Sequence, residues 1–252
     1  MSDLENFTVR SKEFTKSEIE LISNLYDKIV KRHDVCDGTG AVINESGSAE
    51  DCFCVVVHRY IRELIFANIP RKFWEVPVTV PMINFLEVDL SLLNDGGSIH
   101  GLPGSGKTMF LSYLAKTFLQ DKARVSFFKM SDLENFIKHE SDVDSIIYFD
   151  RLLSSDVLLL DDIEDFEFGK DFWISKKIER VLSKMVDSGK SIYFSTSQPN
   201  INEIKKFNIS LGQLCEKIAG DNNAIINSKN NIVLNRKDYL AKTFVKEAFQ
   251  CL

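Results

Sequence analysis

"GLPGSGKT", residues 101–108, is the stretch from which the rest of the chain is read. It satisfies G-x-x-x-x-G-K-[ST], a spacing at which glycines let successive backbone N–H groups converge on phosphate oxygens. The flanks fit the same reading. "SIH" just before it makes a short strand, and "MFLSYLAKTFL" after it makes a helix whose N-terminus adds a favourable dipole. A chance glycine-rich turn would lack one or both flanks. In this setting Gly101, Pro103, Gly104, Ser105 and Gly106 form the phosphate cradle. Lys107 is expected to reach the β- and γ-phosphates of ATP, and the Thr108 hydroxyl to ligate Mg²⁺.

Working outward, "VLLLDDIED" at 157–165 supplies the acidic partner of such a loop. Four apolar residues predict a buried parallel strand that delivers Asp161 and Asp162 to the ligand edge of a sheet. Asp161 is then the Mg²⁺ residue, directly or through water, and Asp162 the group that orients and deprotonates the attacking water. Glu164 and Asp165 are expected in solvent. "SIYFSTSQPN", 191–200, predicts another buried strand ending in small polar residues. Thr196, Ser197 or Gln198 would hydrogen-bond the γ-phosphate or the lytic water, with Gln198 the catalytic candidate. A plain strand-to-turn transition broken by Pro199 is the alternative.

From about residue 84 helices and short apolar strands alternate, which predicts an α/β domain with a mainly parallel sheet covered on both faces. Its strands are expected at Ser98–His100, Arg124–Lys129, Val157–Leu160, Ile192–Thr196, and the pair Ala224–Asn227 and Ile232–Leu234. "RKDYLAKTFVKEAF" fits a last amphipathic helix. The expected organisation is an N-terminal module over 1–70, an extended linker over 71–83 and a nucleotide-binding domain over 84–252. Within the module, 17–32 predicts a helix with Ile19, Ile22, Tyr26 and Ile29 on one face and Ser17 as its cap. "VVVHRYIRELIFANIP" predicts a strand or short apolar run leading into a helix that Pro70 stops. "MSDLENF" occurs at 1–7 and again at 130–136, both copies reading as helix starts with Ser before the first turn.

An apolar content of 44% is enough for a globular core. No apolar run is long enough to cross a bilayer, and the N-terminus lacks a basic-then-apolar signal pattern, so a cytosolic protein without a membrane partner is expected. The net charge of −6 excludes a uniformly basic nucleic-acid coat and leaves room for a local basic groove. "KDFWISKKIERVLSKM", 170–185, is the candidate: Lys170, Lys176, Lys177, Arg180 and Lys184 would track phosphates while Phe172 and Trp173 stack bases. A solvated basic helix face is its plainer reading.

Three of the five cysteines fall in "HDVCDGTGAVINESGSAEDCFC", 33–54, a segment too polar to hold itself by burial. In a reducing compartment clustered thiols favour metal over disulfide. His33, Cys36, Cys52 and Cys54 give three thiolates and an imidazole, a set suited to tetrahedral Zn²⁺. Gly38 and Gly40 supply the tight turn of a ligand knuckle. His58 competes with His33 for the fourth position, and free cysteines or a solvated loop are the alternatives. Cys215 and Cys251 read as packing or surface thiols.

The order "CDGTG…CFC…IFANIPRKF", then "GLPGSGKT", then "LLLDD", resembles the DnaC/DnaI-type helicase loaders of bacteria and their phages, which are AAA+ ATPases. The resemblance spans roughly residues 33–200 and is specific in the knuckle and "ANIPRKF", generic in the nucleotide motifs. It implies an AAA+ P-loop domain with a parallel five-stranded sheet flanked by helices, joined to a small helical zinc module that contacts the hexameric replicative helicase. It further implies binding of single-stranded DNA, self-association on the helicase ring, and ATP as a switch between holding and releasing the helicase. IstB-like transposition ATPases, which act on duplex DNA, resemble the same core; a nucleotide-switched adaptor with little hydrolysis is a third reading. One departure stands out. Such ATPases place an arginine in the neighbouring subunit's site, yet Asn200 to Ala224 contains Lys205, Lys206 and Lys217 and no arginine. Slow hydrolysis is therefore expected.

Overall fold

The computed structural model describes residues 14–30, 35–36, 39–74, 96–165, 171–219 and 223–225. They divide between Phe66 and Ala67 into two compact units. His33, Gly38, Lys170, the first "MSDLENF", residues 75–83 of the expected linker, the strand at 232–234 and the last helix lie outside the described residues.

The first unit opens with α1 (Lys16–Val30). Its cap is Thr15, not Ser17: Thr15 Oγ1 accepts from Glu18 N–H (3.3 Å) and Glu18 Oε2 accepts from Thr15 N–H (2.8 Å). T-x-x-E satisfies two orphan donors reciprocally, which a lone Ser17 would not. The polar segment is ordered as an antiparallel hairpin, β1 (Ala41–Ile43) against β2 (Ala49–Asp51), with Ile43 opposite Ala49. Asn44 makes its turn, since Asn44 Oδ1 accepts from Ser46 N–H (3.1 Å) and Ser48 N–H (2.9 Å). No strand forms at "VVV"; α2 already begins there and runs Phe53–Phe66. Cys54, Val57, Ile61, Leu64 and Ile65 are its buried residues. That is helical spacing, and it overrides the β-preference of three successive valines. The ring of Phe14 meets Phe66 edge-on at 5.9 Å.

The second unit is the α/β domain. In chain order it holds β3 (Gly97–His100), α3 (Lys107–Gln120), β4 (Val125–Lys129), α4 (Met130–Lys138), α5 (Val143–Ser154), β5 (Val157–Asp161), α6 (Phe172–Asp187), β6 (Ser191–Thr196), α7 (Ile201–Phe207), α8 (Ile209–Ala219) and β7 (Asn223–Ile225). Four strands form its parallel centre in the order β4-β5-β6-β3, and the three-residue β7 pairs with β3 in the same sense. Every residue of β3 and β5 is buried, as a sheet covered on both faces requires. The second "MSDLENF" is α4 itself. Its helix begins at Met130 with Lys129 in the cap position and no side-chain cap, so Ser131 lies inside the first turn. Packing fixes this start, because Met130, Leu133 and Ile137 are all buried.

The order of the strands places the site. β6 lies between β3 and β5, so the turn leaving β6 falls between the loop that follows β3 and the acidic turn that follows β5.

Candidate nucleotide site and thiol cluster

The loop after β3 is built as its glycines demand. Gly104 and Gly106 have φ of +80° and +101°, a region that costs other L-residues strain. Gly106 is the residue before α3, and its carbonyl accepts from Phe110 N–H at 2.9 Å, so the loop enters the helix without a break. Lys107 is buried, and its ammonium donates to the carbonyls of Gly101 (2.8 Å) and Leu102 (3.4 Å) across the loop. Ser105 Oγ is buried and finds no hydrogen-bond partner among the described residues. Thr108 is half-buried in the first turn of α3, and Pro103 is exposed at the loop's crest.

Asp161 ends β5 fully buried. Its Oδ1 accepts from the Ser195 hydroxyl at 2.7 Å, while Oδ2 is buried with no partner among the described residues. A half-satisfied buried carboxylate is costly unless a cation completes it, so this residue fits Mg²⁺. Asp162 follows with φ +53°, a left-handed residue at the strand end, and its N–H donates to the same Ser195 Oγ at 2.8 Å. Burial, first, and the negative charges of Asp161 and Asp165 push the Asp162 carboxyl above the usual carboxylate range; Lys107 pulls the other way and Glu164 adds to the rise. A raised carboxyl is, once ionised, a stronger proton acceptor than an ordinary aspartate.

Two residues near this edge escaped the sequence reading, and one was misplaced by it. Ser195 ties both aspartates, yet in sequence it is one more small residue in "FSTSQ"; only its register beside β5 reveals it. His100, buried at the end of β3, has Nδ1 2.8 Å from the Gln198 carbonyl and Nε2 2.8 Å from Ser98 Oγ. Glu164 is not solvated as expected: it lies half-buried on the short 3₁₀ turn Ile163–Asp165, and its Oε1 accepts from Ser197 N–H. The fold returns Glu164 towards β6, which the charge pattern alone does not show. Asp165 is exposed, as read. Of the three candidates after β6, Thr196 Oγ1 accepts from Gln198 N–H (3.1 Å), Ser197 is held by Glu164, and Gln198 is half-buried.

In the first unit Cys36, Cys52 and Cys54 are buried and their Sγ atoms all lie within 4.8 Å of one another. Cys36 Sγ stands 3.6 Å from Cys54 Sγ, close to the roughly 3.8 Å that two thiolates about 2.3 Å from a tetrahedral zinc would show. The backbone supports the knuckle: Gly40 N–H donates to Cys36 Sγ (3.4 Å) and Cys52 N–H to the Gly40 carbonyl (2.8 Å). Gly40 has φ +75°, and a Cβ there would stand 2.7 Å from Val55 Cγ2. Burial, then hydrogen bonds to Cys36 and Cys52 and their like charges, pushes the Cys54 thiol up to about 12. A divalent cation would reverse that balance, so the donor set fits zinc. His58, one turn beyond Cys54, does not join the three thiols in this group.

The basic helix is α6, capped by Asp171 Oδ1, which accepts from Trp173 N–H and Ile174 N–H. Phe172 and Trp173 are exposed. Lys176 pairs with Glu179 at 2.7 Å, and Lys177 pairs with Glu140 and stands 4.9 Å over the Trp173 ring, so part of the basic face is already neutralised.

Comparison with known proteins gives a partial match. Residues 98–192 match the family described as "ATPase family associated with various cellular activities (AAA)", a stretch that includes both the loop at 101–108 and the acidic turn. No curated protein matches the chain. Similar solved structures include DnaA of Aquifex aeolicus bound to AMPPCP, 19% identical with a TM-score of 0.48, the match covering 63% of this chain and 51% of that one. The DnaC helicase loader is 21% identical with a TM-score of 0.48, covering 63% of this chain and 99% of that one. DnaI is 16% identical with a TM-score of 0.47, covering 64% and 93%. No helix among the described residues is long and apolar enough to cross a membrane.

Proposed function

We propose that the chain is an ATP-dependent loader that binds a hexameric replicative helicase and helps place it on single-stranded DNA. The observation that carries this reading is a coincidence in one chain. A phosphate loop and a cation-ready Asp161–Asp162 pair meet at one sheet edge, and a three-thiol knuckle followed by "ANIPRKF" precedes them. The first feature supports ATP and Mg²⁺; the second supports zinc and a helicase-contacting module. In this reading residues 1–70 form that module, 71–83 link it, and 84–252 form the ATPase.

Mg²⁺ held by Thr108 and Asp161 would neutralise charge on the β- and γ-phosphates. The chain's own residues do the rest. The loop amides and Lys107 hold the phosphates, Ser195 keeps Asp161 and Asp162 in register, and Asp162 accepts the proton of the attacking water. Exchange of the Lys107 ammonium from two loop carbonyls to phosphate oxygens keeps its donors satisfied throughout. On α6, Trp173 and Phe172 with Arg180 and Lys184 are the DNA contacts that the sequence supports.

Turnover is expected to be slow. The lysines of the region without arginine are each held by a carboxylate: Lys205 by Glu216 (2.8 Å), Lys206 by Glu203 (2.7 Å) and Lys217 by Asp187 (3.0 Å). A lysine released from such a surface pair would still lack the planar fork of an arginine finger, whose absence costs ~10³–10⁵ in rate. Steady-state phosphate release by the purified chain should stay below about 10 s⁻¹, the middle of the ordinary enzyme range, and rise only with a partner. A faster rate would contradict this.

The loader reading is tested by mixing the chain with a candidate hexameric helicase in ATP and in ADP and measuring co-migration and native mass. A complex whose stability depends on the nucleotide is expected. No complex in either state, with zinc and ATP both bound, would shift the reading to an IstB-like ATPase, and a preference for duplex over single-stranded DNA would say the same.

A further inference from the structure

We infer that His100 and Glu164 are positioning residues that clamp the turn after β6 from its two sides, fixing Gln198 between the phosphate loop and Asp161–Asp162 for hydrolysis. The inference rests on the ATPase reading above and adds two residues to it.

The ladder between β3 and β6 ends at His100 opposite Thr196, and Gly101 N–H donates to the Thr196 carbonyl at 3.1 Å. Beyond that point no strand pairing holds Ser197 and Gln198, and side chains take over. From the β3 side, His100 Nδ1 lies 2.8 Å from the Gln198 carbonyl. A carbonyl only accepts, so Nδ1 carries the proton, and in the neutral ring Nε2 accepts from Ser98 Oγ at 2.8 Å. Ser98 thus sets the ring's orientation. From the β5 side, Glu164 Oε1 accepts from Ser197 N–H. Within the turn, Gln198 N–H donates to Thr196 Oγ1 at 3.1 Å.

The two holds differ from ordinary core satisfaction in where they point. An apolar side chain would fill the site of His100 on a strand buried throughout, and nothing in the strand ladder needs its imidazole. Its outward nitrogen serves only the turn. Glu164 sits three residues past Asp161, on the segment that also carries Asp162, so a shift of the acidic turn and a shift of Gln198 are linked through one carboxylate. Both holds act on the backbone of the turn, which leaves the Gln198 side chain available for the γ-phosphate or the attacking water.

The test compares His100→Leu and Glu164→Leu, which remove each hold, with His100→Asn and Glu164→Gln, which keep a donor near Nδ1 and an acceptor at Oε1. Single-turnover ATP hydrolysis is expected to fall roughly 10²-fold in the leucine variants, the effect of misplacing a reacting group by about 1 Å. Affinity for a fluorescent ATP analogue should be retained, and the Asn and Gln variants should recover most of the rate. The double leucine variant should be little slower than the slower single one, because both holds serve one turn. Wild-type rates in both leucine variants, or conservative variants as slow as the apolar ones, would overturn the clamp. If His100→Leu fails to fold, Glu164→Leu on its half-buried turn carries the test. Failure of the ATPase reading looks different: wild type would then bind ATP without turnover and match Asp162→Asn, and the clamp would fall with it. Failure of the clamp alone leaves Asp162→Asn slow and the leucine variants fast.

Discussion

Asp162→Asn is expected to bind ATP and Mg²⁺ and to stop there, with the hydrolysis rate down about 10²–10⁴-fold, the usual contribution of a positioned proton acceptor. Asparagine is the informative choice because of the backbone. Asp162 has φ +53°, a conformation asparagine tolerates at least as well as aspartate, whereas alanine would add strain to the loss of the carboxylate. The Asp162 N–H bond to Ser195 Oγ belongs to the backbone and survives the change. Only the proton-accepting oxygen is lost. Measuring nucleotide affinity beside single-turnover hydrolysis separates the two effects, and loss of ATP binding would count against the assignment. The same variant tests the adaptor reading: an adaptor would hold and release the helicase as wild type does, and an ATPase cycle would stall with ATP bound.

The pH profile should carry the same signature. Burial and the neighbouring Asp161 and Asp165 raise the Asp162 carboxyl, so its folded-state pKa lies above the ordinary value of 3.8. The base works only when ionised. Hydrolysis should therefore fall with acidification at a pH above the usual aspartate range, and Asp162→Asn should lack that limb. Mg²⁺ held by Asp161 would lower the limb without removing it, so the comparison with Asp162→Asn at one Mg²⁺ concentration is the readout. An acid limb that Asp162→Asn keeps unchanged would argue that another group takes the proton.

Local pattern made the nucleotide-binding unit legible in the sequence, although it misled at the Thr15 cap, at the Val55–Val57 run and at the start of α4. The loop at 101–108, the apolar run before Asp161 and the alternation of strands and helices each encode their structure within a few neighbouring residues, and the parallel sheet followed from them. What escaped depends on register between distant strands. Ser195 and His100 matter because β6 pairs with β3 and β5, a pairing no short window shows. Glu164 was placed in solvent because acidic runs usually are; the 3₁₀ turn at Ile163–Asp165 reverses the chain within hydrogen-bonding reach of Ser197. The hairpin at 41–51 was hidden for another reason. Its strands are largely exposed and carry little apolar alternation, so their order comes from the Asn44 turn and the thiol knuckle and not from burial.

That last point sets the expectation for zinc. The purified chain should carry one zinc, and chelation or Cys54→Ser should dissolve the knuckle. Among the described residues the cluster's core is Cys36, Cys52 and Cys54 with Val42, Phe53 and Val55 packed beside them, too little apolar surface to order a hairpin alone. A structural zinc contributes on the order of 10–16 kcal/mol in small modules of this kind. Among the described residues near the hairpin nothing approaches that: the Arg59–Asp51 ion pair at 2.6 Å is exposed, and exposed pairs are worth about 1 kcal/mol at most. Loss of the metal should therefore appear as rapid amide exchange across 39–54, while nucleotide binding, whose residues lie in the other unit, serves as the folding control. His33 is proposed as the fourth ligand, so His33→Ala should weaken zinc retention more than His58→Ala. A chain that purifies free of metal, with the hairpin amides equally protected with and without chelator, would mean that the three thiols are held together by packing alone.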